Sequence, residues 1–320
     1  MYVLQSDHTV VSVTYAQPSV LLPMPYTNVR AVAAGTDFVC VAFLDGTIAA
    51  ELIGNPYHQF GLEHTPADAQ DITALYADYW TAYACSADGK LYGWGRDGAA
   101  LAQELGWQSD VQSIHACRDH LLSLNDVGQI MHVGSADCND ATTYPLIRTG
   151  IKRLHAADIR AIAMTTDHRV IDLYDARIGT IAQDPTIVDV VATRSLYGLL
   201  YANGRVVVLN RYTFIEDDDP LYVDPVTLHG VSTMYANGDT LACVGFDGRV
   251  WAVRSDDQYG YDPQPVALPD DLRAMVWPGL STQPEDYKAD ACHEVNTLAL
   301  RLGAIKQTRA YMNAPHKPTF

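Results

Sequence analysis

The sequence predicts a seven-bladed β-propeller followed by a C-terminal helical extension. Three observations carry this. Hairpin dipeptides recur along the chain, apolar residues keep a fixed register around each of them, and a hairpin missing near the C-terminus is supplied by the N-terminus.

The hairpin dipeptides are Asp45-Gly46, Asp88-Gly89, Asn203-Gly204 and Asp247-Gly248. Such pairs between apolar runs mark tight turns, because the turn needs a positive φ. The residues 17 positions before each turn glycine, or its equivalent, are Val29, Ile72, Val111, Ile151, Ile187 and Val231. Their turn partners are Gly46, Gly89, Gly128, His168, Gly204 and Gly248. Three positions into each copy stand Val32, Leu75, Ile114, Leu154, Val190 and Met234. Two residues after each turn stand Ile48, Leu91, Ile130, Val170, Val206 and Val250. Copy starts are 43, 39, 40, 36 and 44 residues apart. Each copy reads as strand, link, strand, turn, strand, then a variable loop with a further short strand. A period near 40 with about four strands per unit is the signature of a propeller.

A seventh first strand is expected at 272–278, but no hairpin follows near residue 289. Asp7-His8 takes the turn position instead, with Leu4 before it and Val10-Val11 after it. The last blade is therefore expected to combine residues 272–278 with residues 1–14, a closure that removes long free sheet edges. Residues 1–280 form the propeller in this reading, and residues 281–320 the extension.

Composition narrows the function. The chain has 320 residues, 48% of them hydrophobic, ample for a core. Its formal net charge of -17 argues against general nucleic-acid binding, which needs basic side chains to displace counterions. Met1-Tyr2-Val3-Leu4 lacks the pattern of an export signal, and no apolar run reaches the roughly 18 residues of a membrane span. Cys40, Cys85, Cys117, Cys138, Cys243 and Cys292 form no C-x-x-C pair and read as reduced thiols, which suits a cytoplasmic protein.

Sequence motifs add no catalytic or cofactor chemistry. Gly93-Trp94-Gly95-Arg96-Asp97-Gly98 matches G-x-G-x-x-G in letters, but it closes a repeat strand and reads as a blade-edge turn. The acidic run Glu216-Asp217-Asp218-Asp219 and the loop with Asp256, Asp257 and Asp262 read as solvated links; a cation or a basic partner is the alternative. His8 and His168 are turn substitutes, and His115 and His120 lack a metal-binding spacing. No P-loop, zinc-protease or nucleophile-elbow motif occurs. Neither cofactor, metal, small-molecule substrate nor enzymatic activity is expected. Tyrosine is abundant, 19 against 6 phenylalanines, and Tyr76, Tyr79 and Trp80 cluster at one inter-strand link. They read either as packing between blades or as a partner contact.

Copy two reads Asp88-Gly89-Lys90-Leu91-Tyr92-Gly93-Trp94-Gly95-Arg96-Asp97-Gly98, then Gln103-Glu104-Leu105-Gly106. This resembles the repeat of the regulator of chromosome condensation family. Gly35 and His120 also stand where that family often has a glycine and a histidine. The resemblance spans about residues 1–278 and is degenerate outside copy two, which makes the chain similar to a remote member. It implies protein partners and, as one activity, guanine-nucleotide exchange on a small GTPase. No insertion corresponds to the β-wedge that such exchange uses.

From Ser281 the pattern changes. Thr282-Gln283-Pro284-Glu285-Asp286 is a helix-start signal, and Ala291, Val295, Leu298, Leu302 and Ile305 follow at helical spacing. Lys306 and Arg309 fall in the last turn, favourable for the helix dipole. A hairpin around Leu302-Gly303 is the alternative. Residues 296–320 carry +4 (Arg301, Lys306, Arg309, Lys317) and no acid, which leaves -21 on the rest. The function expected is a non-catalytic interaction or assembly module that binds protein partners or copies of itself. A structural component of a large assembly such as a virion is one form of it, and an enzyme-inhibitor propeller is a further alternative.

Overall fold

The computed structural model describes residues 1–13, 21–35, 38–53, 60–78, 80–105, 111–117, 120–134, 149–157, 160–175, 178–214, 225–237, 240–255, 263–266, 268, 272 and 300–301. These form seven antiparallel sheets of three or four strands. Blade one is β4 (Val29–Ala34), β5 (Phe38–Phe43) and β6 (Ile48–Leu52). Blade two is β7 (Ile72–Ala77), β8 (Thr81–Ser86) and β9 (Leu91–Gly95), and blade three β10 (Val111–Cys117), β11 (His120–Asn125) and β12 (Ile130–Gly134). Blades four, five and six add a fourth strand. They run β13 (Ile151–Ala157) to β16 (Thr180–Gln183), β17 (Ile187–Ala192) to β20 (Val226–Leu228), and β21 (Val231–Asn237) to β24 (Pro263–Val266). The seventh sheet orders β25 (Leu300–Arg301), β1 (Tyr2–Leu4), β2 (Val10–Val13) and β3 (Leu21–Pro23).

All six expected copy starts are the first residues of inner strands. The turn residues Gly46, Gly89, Gly128, His168, Gly204 and Gly248 all have φ between 64° and 90°, and His8 has 65°. In each hairpin the turn residue's N–H bonds the carbonyl three residues back, as Gly46 does to Phe43 at 3.0 Å. Before Gly46, Gly89, Gly204, Gly248 and His8 the Asp or Asn side chain accepts the N–H two residues on, as Asp45 does from Thr47 at 3.0 Å and Asn203 from Arg205 at 3.0 Å. A Cβ at Gly46 would stand 2.8 Å from the Asp71 Cα of the next blade. The glycine thus serves both the turn and the close blade contact. The Gly46 carbonyl accepts the Ile72 N–H at 3.0 Å, and His8 to Val29 and Gly204 to Val231 repeat the bond.

The core lies between the sheets. The expected apolar column Val32, Leu75, Ile114, Leu154, Val190 and Met234 is buried throughout. Each of these six inner strands also carries a register shift after its first residue, which skips Arg30, Thr73, Gln112, Lys152, Val188 and Ser232. Such bulges sharpen the twist that lets blades pack around an axis.

Two features differ from the sequence expectations. Blades one, two and three have no fourth strand among the described residues; in blade two the chain instead forms helix α1 (Gly98–Leu105) against β9. Alanine and leucine favour the helix, and Leu101 and Leu105, one turn apart, are buried. The second difference concerns closure. The N-terminal strands do close the ring, but the strand beside β1 is Leu300–Arg301, not 272–278. Residues 300 and 301, placed on the expected helix, are extended, because the inner edge of β1 offers backbone partners that a helix there would leave unpaired. Leu272 is buried in the core, and 273–299 and 302–320 lie outside the described residues.

Candidate functional site

In this topology the Asp-Gly hairpins gather at one end of the ring. Links between first and second strands, and those leaving third strands, gather at the other. That second end carries the candidate surface. Trp80 lies in the link between β7 and β8, and Arg96 directly follows β9. The Arg96 N–H bonds the Trp80 carbonyl at 3.0 Å, and Thr81 Oγ1 donates to the Arg96 carbonyl at 2.9 Å. Gly95 (φ 86°) permits this: a Cβ there would lie 2.4 Å from the Trp80 oxygen and 2.6 Å from Leu62 Cδ2. Trp94 Nε1 donates to the Leu62 carbonyl at 3.0 Å and ties the 60–64 segment down.

Phe60 completes the cluster. Its ring centroid lies 5.8 Å from that of Trp80, and the Arg96 guanidinium carbon lies 5.1 Å from the Trp80 ring and 6.0 Å from the Phe60 ring. Phe60 is 45% exposed, although its backbone is held at φ 33°, a sparsely populated region for an aromatic residue. A cation over two rings is worth about 0.5–1 kcal/mol at an exposed site. Phenylalanine, tryptophan and arginine at a fixed, accessible position are the side chains that carry binding energy at protein interfaces.

Of the residues singled out from the sequence, Trp80 belongs to this surface and Tyr76 does not. Tyr76 is 2% exposed on β7 and packs in the core. Tyr79, Val295, Leu298, Leu302, Ile305, Lys306 and Arg309 lie outside the described residues. Phe60 and Arg96 escaped the sequence reading. Arg96 was visible in copy two as the residue after the tryptophan-glycine, but nothing local brings Phe60 to it.

A second, buried constellation spans blades three to five near the same end. Arg211, just beyond β19 (Val206–Asn210), places Nη2 2.5 Å from Asp175 Oδ2 and Nε 3.7 Å from Asp172 Oδ2. Tyr197 donates to Asp172 Oδ2 at 2.6 Å, and the N–H groups of Tyr174 and Asp175 donate to Asp172 Oδ1. Burial, and then the Asp172 charge, raise the Tyr197 hydroxyl well above its ordinary pKa, so it stays a donor. Tyr174 meets His120 Nε2 at 3.0 Å. Burial, with His132 beside it, pushes His120 down to about 3 and keeps the ring neutral at pH 7. The network joins the sheets through buried, paired charges, with Arg160 as a second guanidinium near Asp172 and Asp175. No group of three or more metal-ligating side chains is positioned to hold an ion among the described residues. Burial raises the Cys85 thiol to about 11 and the Cys243 thiol further, which makes both poor nucleophiles. No described helix is long and apolar enough to cross a membrane.

The seven sheets, their strand order and their closure define a β-propeller like that of the regulator of chromosome condensation. Among solved structures, Prp20p from Saccharomyces cerevisiae matches with a TM-score of 0.61 at 14% identity, over 95% of this chain and 91% of that one. Human WBSCR16 matches with 0.55 at 12% identity, over 81% and 86%. The CRINKLY WD40 ectodomain of the Arabidopsis thaliana receptor kinase ACR4 matches with 0.54 at 10% identity, over 85% and 100%. At these identities the likeness is one of fold. No family model and no curated relative matches the chain.

Proposed function

We propose that this chain is a non-catalytic protein-interaction propeller whose contact surface is centred on Phe60, Trp80 and Arg96. The observation that carries this is the strained, exposed Phe60, its ring tilted against Trp80 with Arg96 beside both. Backbone strain persists where the surroundings over-determine it, and here it holds an aromatic ring toward solvent. The similar fold supports the reading at the level of role. Prp20p is described by its binding to Gsp1p and histones, and yeast RCC1 (Prp20) by its complex with Kap60. Membership of a large assembly is the form of partner binding that fits the acidic ring and its oppositely charged C-terminal residues.

Photo-crosslinking tests it. A photoreactive phenylalanine analogue is placed at position 60 in cells that make the protein, with Val127, 70% exposed on the hairpin end, as the control position. Discrete protein adducts are expected from position 60, and their loss on Trp80→Ala. Equal adducts from both positions, or none from position 60, would overturn the reading.

A further inference from the structure

We propose that Arg96 is the receptor for a carboxylate of the partner protein, an aspartate or glutamate side chain whose apolar neighbour covers Phe60 and Trp80. This rests on the interaction reading above and names the chemistry that its surface takes.

The repeat supplies the comparison. Ile53, Arg96, Asp175 and Arg211 stand seven positions after the turn residues Gly46, Gly89, His168 and Gly204, so they occupy one column of the blades. Arg96 and Arg211 are held alike. Each is the first residue beyond its third strand, and its N–H bonds the carbonyl of the residue before the second strand, Trp80 at 3.0 Å and Ser195 at 2.8 Å. At the seam of blades four and five the column pairs with itself. Asp175 of the earlier blade places Oδ2 2.5 Å from Arg211 Nη2, and the two side chains are 7% and 4% exposed. At the seam of blades one and two the column offers Ile53 in place of the aspartate, and the Arg96 side chain stays 43% exposed.

Arg96 thus lacks the acid that completes its counterpart. Its one ion pair among the described residues is with its chain neighbour Asp97, Nε to Oδ2 at 3.5 Å, and that carboxylate is 65% exposed. Such a surface pair contributes little. A guanidinium beside aromatic faces keeps its N–H groups for a planar acceptor, and a carboxylate meets the fork with two parallel bonds. Ile53 and Phe60, 48% and 45% exposed, add apolar area on the same two blades. The ligand that fits therefore carries an acid next to an apolar side chain. Seating the apolar group excludes water, which strengthens the charged bond. The net charge of -17 opposes an acidic partner only at long range, since salt screens charges beyond about 8 Å at physiological strength.

The test selects random peptides displayed on phage against the full chain at physiological salt and discards clones that also bind the Phe60→Ala variant. The remaining peptides are expected to be enriched in Asp or Glu beside a large apolar residue. In the best of them, made synthetically, replacing the acid by its amide is expected to weaken binding about tenfold or more, and Arg96→Gln to abolish that difference. Fluorescence polarisation reads both. The two substituted side chains are exposed, and thermal melts establish that the variants fold. Peptides that need Phe60 but bind equally as acid and amide would overturn the carboxylate receptor and leave the surface standing, as would an acid preference that survives Arg96→Gln. The absence of any Phe60-dependent peptide would overturn both.

Discussion

The turn residues show how one position answers to two constraints. At Gly46 the φ of 85° and the 2.8 Å approach to Asp71 both exclude a side chain. Gly46→Ala is expected to destabilise the ring by about 2 kcal/mol, since the left-handed conformation alone costs a side chain about 1–2 kcal/mol. At His168 (φ 64°) the same conformation is already borne by a side chain. His168→Gly should be neutral or stabilising by up to about 1 kcal/mol. Urea denaturation of both variants checks the opposite signs. His120 makes a pH prediction. Its folded pKa of about 3 lies below the unfolded value of 6.5, so between these the unfolded state binds more protons. Its contribution is complete above pH 6.5 and is lost as pH falls toward 3, by up to a few kcal/mol. Replacement with glutamine should flatten the melting temperature between pH 6.5 and 4, even if it lowers the value at pH 7.

At the scale of elements, the blades repeat a plan and depart from it where they touch something else. Six inner strands share a bulge at their second residue. In blades two and six the bulged hydroxyl also bonds its neighbour: Thr73 Oγ1 donates to the Cys85 carbonyl at 3.2 Å and Ser232 Oγ to the Val244 carbonyl at 2.8 Å. Blade two substitutes α1 for a fourth strand, with Gly93 making room: a Cβ there would stand 2.0 Å from the Gly98 carbonyl oxygen. The seam of blades four and five depends on Arg211. Arg211→Met should cost up to about 3–5 kcal/mol, because Asp175 and Asp172 would lose the nearer of the two guanidinium groups that face them and keep only Arg160. Adding Asp175→Asn should recover part of the loss. Denaturation of both single variants and the double variant checks this; losses that simply add would mean that the pair is not coupled.

For the whole molecule, closure is the decisive feature. The last blade joins strands from the two ends of the chain, so stability depends on both being present. Deletion of residues 1–13 removes β1 and β2 and uncovers the edge of β3. The truncated chain is expected to aggregate, or to melt at least ~10 °C lower, because sheet edges and part of the common core are exposed. Light scattering and thermal melts read this. An unchanged monomer would contradict the closure.

How much of this was legible in sequence follows from range. A turn at Asp45-Gly46 and an apolar residue two places later are set by local backbone sterics and by burial at a fixed offset. Blade number, strand register and even His8 and His168 as turn residues could therefore be read directly. The left-handed residues ahead of inner strands, Asn28 and Asp71 among them, carried only the weak local signal of asparagine and aspartate. The Phe60–Trp80–Arg96 cluster joins positions 20 and 16 residues apart. The Arg211–Asp175 pair crosses 36 residues, and the β1–β25 pairing crosses nearly the whole chain. By itself, then, the sequence determined the repeating unit, because each unit's turn and apolar columns are short-range chemistry. Only the tertiary structure decided which strand closes the ring and which side chains meet on its open end, because those depend on distant segments competing for the same edge and the same space.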